Sequence, residues 1–192
     1  NFANSSSFKS LNNIIKLIMA IKTIITEPNK ILRQKSLPVD QVGAEEQRLM
    51  DDMLETMYNA NGIGLAAIQI SVPKRIIVMD ISKNDEKNSP MYFVNPEIKN
   101  KVTETSIYEE GCLSVPNFFA EVNRPKKCDV EYLDYDGNKK ILNAEGLLAT
   151  CIQHEMDHLE GILFIDYLSK LKKNIIVKKL SKQKARPDRI IV

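Results

Sequence analysis

The stretch from residue 147 to residue 161 reads LLATCIQHEMDHLEG, and it contains both histidines of the 192-residue chain. His154 and His158 are four positions apart, so on a helix their imidazoles lie on one face and can bind one metal ion. Glu155 follows the first histidine and is placed to act as a general base on a water at the metal. The motif therefore indicates a metal hydrolase; the alternative is a polar helix with two surface histidines.

The residues around this motif predict a buried helix. Apolar side chains, beginning with Leu147, surround much of it, and Gly161 is a typical residue for ending a helix. Burying the charge of Glu155 is unfavourable unless a cation lies nearby, and a bound metal would supply one. The helix is predicted over 147–159.

Two further helices are predicted from apolar residues at helical spacing. One is an amphipathic helix over 45–59, ending near Asn61-Gly62. The other covers 169–184 and has lysines on most of its surface. Its single apolar face is predicted to consist of Leu171, Ile175, Ile176 and Leu180.

Strands are predicted where apolar and β-branched residues cluster between turn signals. Asp136-Gly137 is a typical hairpin turn. The predicted strands are 75–81, 91–98, 128–135 and 139–143. The predicted fold class is α+β, with antiparallel strands surrounding a central helix that carries HExxH, an N-terminal amphipathic helix and a C-terminal helix.

The length fits one domain with a sizeable core. Residues 1–18 are rich in Asn and Ser and contain no acid, so a disordered leader or extension is expected there. Residues 19–168 are predicted to form a single catalytic domain, and 169–192 a basic C-terminal helix and tail. Three scattered cysteines do not form a disulfide framework and favour a reducing compartment. No apolar stretch is long enough for a membrane span.

Charge is distributed unevenly along the chain. From Ile165 onward the balance is +7, so the rest must carry −5 to give the net charge of +2. A basic tail on an acidic body suggests contact with an anionic partner, RNA being the first choice. On charge alone, a solvated cationic helix end is an equal alternative.

A catalytic site needs a third protein ligand besides the two histidines, with one position left for water. Cys151 lies three residues before His154 and faces roughly the same way. Cys112 lies in EGCLSVP (residues 110–116), where Gly111 permits close backbone approach. A ligand from a separate segment can approach the metal from another direction, which modestly favours Cys112 over Cys151.

The segment GIGLAAIQ (residues 62–69) allows two interpretations. It lacks the lysine of a phosphate-binding loop and the dinucleotide fingerprint. It can be a tight turn entering a buried strand. Alternatively, Gln69 can place a neutral hydrogen-bond donor beside a developing oxyanion.

Taken together and in this order, GIGLAAIQ, EGCLSVP and QHEMDHLEG closely resemble the blocks of the peptide deformylase family, bacterial type. The resemblance runs from about Ile21 to the C-terminal helix. It implies a hydrolase of protein biosynthesis that removes the formyl group from the N-terminal formylmethionine of nascent polypeptides and releases formate. It also implies a cytoplasmic setting, or an organellar one if residues 1–18 are a leader.

The resemblance assigns roles to particular residues. It implies one divalent metal ion per chain, natively Fe(II), with Zn, Ni or Co as substitutes in purified protein. The implied ligands are Cys112, His154 and His158. Glu155 would be the general base and acid, and Gln69 and the backbone N–H of Leu113 would hold the oxyanion. The implied substrate-binding residues are Ile63, Gly64, Tyr108, Gly111, Leu147, Thr150 and Cys151. The basic last helix would dock at the ribosome, and packing of this helix on the body is the competing interpretation.

Two other functions remain open from the residues alone. A zincin-type metalloprotease shares HExxH and would take Glu160 or Asp166 as its third ligand. A non-enzymatic ribosome-binding protein would hold a structural metal in a closed four-ligand site. Its ligands would be Cys112, Cys151, His154 and His158.

Overall fold

A computed structural model describes residues 20–82 and 87–184 of the chain. The leader or extension predicted for residues 1–18 and the end of the basic tail lie outside these ranges. Within them, seven strands form two antiparallel sheets and three α-helices pack against the sheets. The predicted α+β class with antiparallel strands is confirmed.

The larger sheet has five strands in the described part of the chain, and their order across the sheet is β1-β2-β3-β6-β7. These strands are β1 (Gly64–Ala66), β2 (Ile76–Met79), β3 (Met91–Lys101), β6 (Lys127–Leu133) and β7 (Lys139–Glu145). The predicted hairpin between β6 and β7 is present, and Gly137 adopts a φ of 81° in its turn. A left-handed conformation of this kind favours glycine.

The smaller sheet pairs β4 (Thr105–Cys112) with β5 (Val115–Pro125). Neither strand was predicted, because charged and polar residues occupy many of their positions and weaken the apolar alternation. The buried strand that one interpretation placed within GIGLAAIQ is present as β1, which is only three residues long. These three strands are adjacent to the segments that carry the candidate site.

The three helices are α1 (Ala44–Asn59), α2 (Leu147–Leu159) and α3 (Lys170–Lys184). All three predicted helices are confirmed to within a residue at each end. Gly161 has a φ of 73°, and the next residue, Ile162, donates its N–H to the carbonyl of Asp157 at 2.9 Å. This left-handed glycine with a backward hydrogen bond ends α2 as predicted.

Strand β2 of the larger sheet is buried on both of its faces. Ile77 and Met79 of β2 belong to the cluster that includes the apolar face of α2. Ile76 and Val78 belong to the cluster that includes the apolar face of α1. Successive residues of a strand point to opposite faces, so β2 is apolar on both sides. Burying each such side chain contributes about 1.5–3 kcal/mol, and α2 is thereby held firmly on the sheet.

The apolar face of α3 is narrower than predicted. Ile176 and Leu180 are buried in a third cluster with Val122 of β5. Leu171 and Ile175, in contrast, are 72% and 46% exposed. The helix is buried along the i, i+4 pair Ile176 and Leu180. The prediction that Leu171 and Ile175 belong to the same buried face was wrong.

The predicted burial of α2 is confirmed for most of its length, since nine of its residues are buried. Leu147, in its first turn, is an exception and is 45% exposed. In the described ranges, no helix has both the length and the apolar character needed to cross a bilayer.

Candidate metal centre and active site

Three donor atoms from two elements converge at one point. Cys112 is the last residue of β4, and His154 and His158 lie one turn apart on α2. Their ligand atoms all lie within 4.8 Å of one another, and Cys112 Sγ is 3.3 Å from His158 Nε2. Ligands 2.0–2.3 Å from a tetrahedral metal lie roughly 3.3–3.8 Å apart. One thiolate and two imidazoles at this spacing fit a divalent ion with an open fourth position.

An irregularity in the β4–β5 pairing places Cys112 in the site. Gly111 is opposite Phe119, whereas Cys112 is opposite Val115, so the register shifts between the two residues. A bulge of this kind bends a strand and redirects its side chains. The end of β4 consequently turns toward α2.

Cys151, the rival ligand, faces another group. Its sulfur lies 3.9 Å from the backbone carbonyl of Ile63. Burial raises the pKa of its thiol well above the ordinary value. Among the described residues, the donor atoms that converge are those of Cys112, His154 and His158, so Cys151 does not belong to the cluster, and the closed four-ligand alternative loses a member.

The carboxylates considered for a protease-type site also lie elsewhere. Glu160 pairs with Lys35 at 2.9 Å and with Arg75 at 2.5 Å. Asp166 pairs with Arg33 and Lys173, both at 2.5 Å. Glu160 and Asp166 are thus held in ion pairs, and neither belongs to the group of converging donor atoms.

A buried ion-pair network supports the first histidine. Glu110 Oε2 lies 2.7 Å from His154 Nδ1, which leaves Nε2 free for the metal. Arg124 bonds both carboxylate oxygens of Glu110 and also Asp157 Oδ2, at 2.8 Å. Burial alone would raise the pKa of Glu110, but its hydrogen bonds with His154 and Arg124 outweigh burial and lower it. The carboxylate therefore stays ionised and orients the imidazole.

His158 is completely buried, and burial lowers the pKa of its imidazole well below the ordinary value. Metal binding requires the neutral imidazole. Burial thus favours the neutral form of His158, and the hydrogen bond with Glu110 orients the ring of His154.

Glu155 lies beside the ligands on the same helix and is 5% exposed. Burial raises the pKa of its carboxyl to about 7. Among the described residues, its Oε2 atom has no hydrogen-bond partner. The carboxylate lies directly against the Cα of Gly64, where a Cβ would collide with it. A buried, unpaired carboxyl with a pKa near neutrality suits a general base.

The amide of Gln69 is held in a defined orientation. Its Oε1 accepts the N–H of Ala66 at 2.8 Å, and its Nε2 donates to Ser114 Oγ at 3.1 Å. The same nitrogen is 3.6 Å from Cys112 Sγ. The amide N–H group is therefore directed toward the metal ligands, where a donor to an oxyanion is needed.

A cleft of about 490 Å³ adjoins the ligands. It is lined by several of the predicted site residues, namely Ile63, Gly64, Gln69, Gly111, Cys112, Leu113, His154 and Glu155. Leu113 packs against Gly62: a Cβ added to Gly62 would lie 2.7 Å from Cδ1 of Leu113. The predicted catalytic and metal-binding side chains, apart from the buried His158, share this cleft.

The remaining predicted substrate residues do not line the cleft. Thr150 and Cys151 are buried on α2, and Leu147 is at the start of that helix. Tyr108 is on β4, its hydroxyl 3.6 Å from where a Cβ on Gly146 would be.

Sequence reasoning assigned no role to Glu110 or Ser114, which orient His154 and Gln69. The spacing of Glu110 could have indicated its role. Glu110 lies two positions before Cys112, and residues i and i+2 of a strand point to the same face, so Glu110 could have been expected on the side of the metal ligand.

The α+β fold, with one cysteine and two histidines that could hold a metal ion, fits the class of metal-dependent hydrolases. A family model described as Polypeptide deformylase matches residues 21–174. The chain belongs to this family.

Relatives and solved structures agree with this assignment. The chain is 72% identical over 174 residues to a peptide deformylase of Pelagibacter ubique (strain HTCC1062), covering 91% of this chain and 100% of the relative. It is similar to the peptide deformylase of Ehrlichia chaffeensis in complex with actinonin, with a TM-score of 0.84, 42% identity, and 88% and 100% of the two chains covered. It is also similar to a Met-Ala-Ser-bound class I type b peptide deformylase of Acinetobacter baumannii, with a TM-score of 0.74, 32% identity, and 79% and 100% covered.

Proposed function

We propose that this chain hydrolyses the formyl group from the N-terminal formylmethionine of nascent polypeptides and releases formate. Membership of the deformylase family supports the reaction. The observation that carries the proposal is the placement of Glu155, unpaired and buried, in one cleft with Cys112, His154 and Gln69. The site thus combines a metal centre, a base and an oxyanion donor.

The metal would be held by Cys112, His154 and His158. A divalent ion bound there would supply Lewis acidity toward water and the formyl carbonyl. We propose Fe(II) as the native ion, on the family resemblance, with Zn, Ni or Co as substitutes in purified protein. Metal analysis of protein prepared without oxygen, compared with its formate release, tests this choice.

Glu155 would move the proton. With a pKa near 7, its carboxylate can take a proton from the attacking water and give it to the leaving amine. Its position against Gly64 fixes the carboxylate beside the cleft. One carboxyl group then serves as base and acid in successive steps.

Gln69 and Leu113 would stabilise the developing oxyanion. Gln69 Nε2 is held by Ser114 on the ligand side of the cleft. The backbone N–H of Leu113 follows directly after Cys112 and would supply the second donor. Each such donor contributes on the order of 3 kcal/mol to transition-state stabilisation.

The peptide would lie along β1, which is an edge strand of the larger sheet, with Gly64 pairing its backbone. Gly111, whose Cα is covered by the Phe119 ring, would contact the chain through its backbone. The methionine side chain would be received by Ile63, Tyr108, Leu147, Thr150 and Cys151. The contact of Cys151 with the carbonyl of Ile63 supports the proximity of two of these residues.

An anaerobic assay of formate release from a formyl-Met peptide tests the mechanism. Glu155→Gln should lower kcat about 10²–10⁴-fold, because it removes the proton acceptor, while the bound metal remains. Glu97→Gln, at an exposed position of β3 outside the cleft, is the matched control and should retain activity. Formate release by Glu155→Gln at the wild-type rate would overturn the proposed mechanism.

We propose that α3 docks the enzyme at the ribosome, near its nascent substrate. Ile176 and Leu180 anchor the helix to the body, and Lys172, Lys178 and Lys182 are exposed. Packing on the body and docking are thus compatible, since Lys178 and Lys182 lie away from the buried stripe and Lys172, one turn before Ile176, is itself exposed. Lysines on an exposed helix face favour contact with RNA phosphates.

Charge reversal tests this docking without exposing the buried stripe. The variant K172E/K178E/K182E should lose most ribosome affinity in sedimentation, and the wild-type affinity should fall with salt. K30E/K101E/K139E makes the same change in net charge at exposed sites elsewhere and should retain binding. Equal affinity of the two variants would contradict the docking role of α3.

Three broader proposals complete this picture. Helix α2 contacts strands of both sheets and is proposed as the central helix of the fold. Residues 19–168 are proposed as the catalytic domain, with 169–192 as its basic helix and tail. A substrate that emerges from the ribosome supports a cytoplasmic setting.

A further inference from the structure

Phe119 is an exposed aromatic side chain at the wall of the active-site cleft. It is 64% exposed and lines the same cleft as Cys112 and His154. Its cross-strand partner is Gly111, and a Cβ on Gly111 would lie 2.6 Å from the Phe119 ring. The ring therefore covers the bare backbone of Gly111, directly beside the metal ligand Cys112.

The neighbouring Phe118 has a different environment. Phe118 packs against the third apolar cluster, and the Lys179 ammonium lies 5.9 Å from its ring centre. Because side chains alternate along β5, Phe119 points to the opposite face of the strand. Its exposure thus follows from the register of β5, and Phe118 already fills the adjacent core position.

The cleft around Phe119 offers apolar surface and negative charge. Ile63, on the segment before β1, also lines it and is 44% exposed. Among the described residues that line the cleft there is no lysine or arginine. Next along the same face of the hairpin, Glu109 and Glu121 are directly opposite each other and both exposed. Like charges in this arrangement repel each other and any further carboxylate.

We infer that Phe119 is a specificity-determining residue that favours an apolar or aromatic side chain in the first two positions after formylmethionine. Glu109 and Glu121 disfavour acidic side chains in the same stretch. A bound apolar side chain covers the exposed ring and removes both surfaces from water. An acidic side chain meets no cation in the cleft and two carboxylates beyond it. The inference rests on the proposed deformylase function.

Matched formyl tripeptides test the inference. Formate release is measured with formyl-Met-Phe-Ala and formyl-Met-Ala-Phe, and with the same peptides carrying Glu in place of Phe. For the wild type, kcat/KM should be about three- to tenfold higher for the Phe peptide of at least one pair, the range expected of an aromatic contact. Phe119→Ala should reduce that ratio to within about twofold, and Phe119→Arg should invert it in favour of Glu.

Ile141→Arg is the control for adding a charge, because Ile141 is a similarly exposed apolar residue on β7, outside the cleft. It should keep the wild-type ratio. Equal kcat/KM for the Phe and Glu peptides of both pairs, or a wild-type ratio in Phe119→Arg, would overturn the inference and leave the deformylase function standing. Absence of formate from every peptide would overturn both.

Discussion

Glu110 and His154 form a buried contact of 2.7 Å between a carboxylate oxygen and Nδ1 of the imidazole. The partner of Glu110 on its other side is Arg124, which is 4% exposed. This contact determines which imidazole nitrogen faces the metal site. The orientation of His154 therefore depends on Glu110, a residue with no proposed contact to metal or substrate.

Glu110→Gln should weaken metal binding roughly 10–100-fold, because a neutral amide orients and polarises the imidazole less strongly than a carboxylate. Competition with a chelator of known affinity measures the effect. Glu109→Gln changes the same charge one residue away on the exposed face and should bind metal like the wild type. Equal metal affinities for the two variants would refute the orienting role of Glu110.

Gly64→Ala should lower kcat/KM on the order of 10²-fold, since its Cβ would collide with the Glu155 carboxylate and displace the base. Metal content should stay unchanged because the ligands lie on other segments. Gly43→Ala is the matched control, since a Cβ there meets nothing closer than 3.7 Å. Steady-state kinetics with metal analysis decide the question, and an active Gly64→Ala enzyme would count against the proposed position of Glu155.

Gln69→Ala should lower kcat about 10²–10³-fold through loss of an oxyanion donor. Gln47→Ala removes a comparable amide, which donates to the carbonyl of Tyr135 at 3.1 Å, outside the cleft. This control should keep kcat within about twofold of the wild type. If Gln69→Ala raised only KM, the amide would bind the ground state and the oxyanion role would be wrong.

Asp166 should stabilise the fold in a pH-dependent manner. Burial alone would raise the pKa of its carboxyl, but hydrogen bonds from Leu163 N–H and Lys173, with the charge of Arg33, outweigh burial and lower it. A lowered pKa contributes stability that is present above the ordinary carboxyl pKa of 3.8 and is lost as pH falls through the lowered value.

Asp166→Asn should therefore lower the free energy of unfolding by about 1–2 kcal/mol at neutral pH, because these are charged hydrogen bonds with partial access to solvent. The difference should shrink below the ordinary carboxyl pKa. Urea unfolding of metal-free protein at neutral and acid pH measures it. Asp136→Asn, at an exposed turn position, should have an effect within about 0.5 kcal/mol. A difference independent of pH would contradict the charge effect.

Elements with strong local patterns were predictable, and those that depend on distant partners were not. Helix α2 and its end at Gly161 followed from periodicity and one glycine. The β4–β5 hairpin did not, because its charged and polar alternate residues face solvent and its buried ones pack on α3 and α2. The failure at Leu171 and Ile175 has a similar cause, since periodicity identifies a face and only the neighbouring surface determines how much of it is covered.

His154 and His158 were identified as a pair from their i, i+4 spacing, which is a local property of any helix. The residues alone favoured Cys112 modestly over Cys151 and left Gln69 as one of two interpretations, and the family resemblance assigned a role to each. Tertiary structure alone decided that Cys112, 46 residues from His158 along the chain, approaches the imidazoles while Cys151 contacts a carbonyl. It also decided that Glu110 supports His154 and that Phe119 faces the cleft. Strand register and a bulge set these contacts, and both depend on pairing between segments that no local pattern encodes.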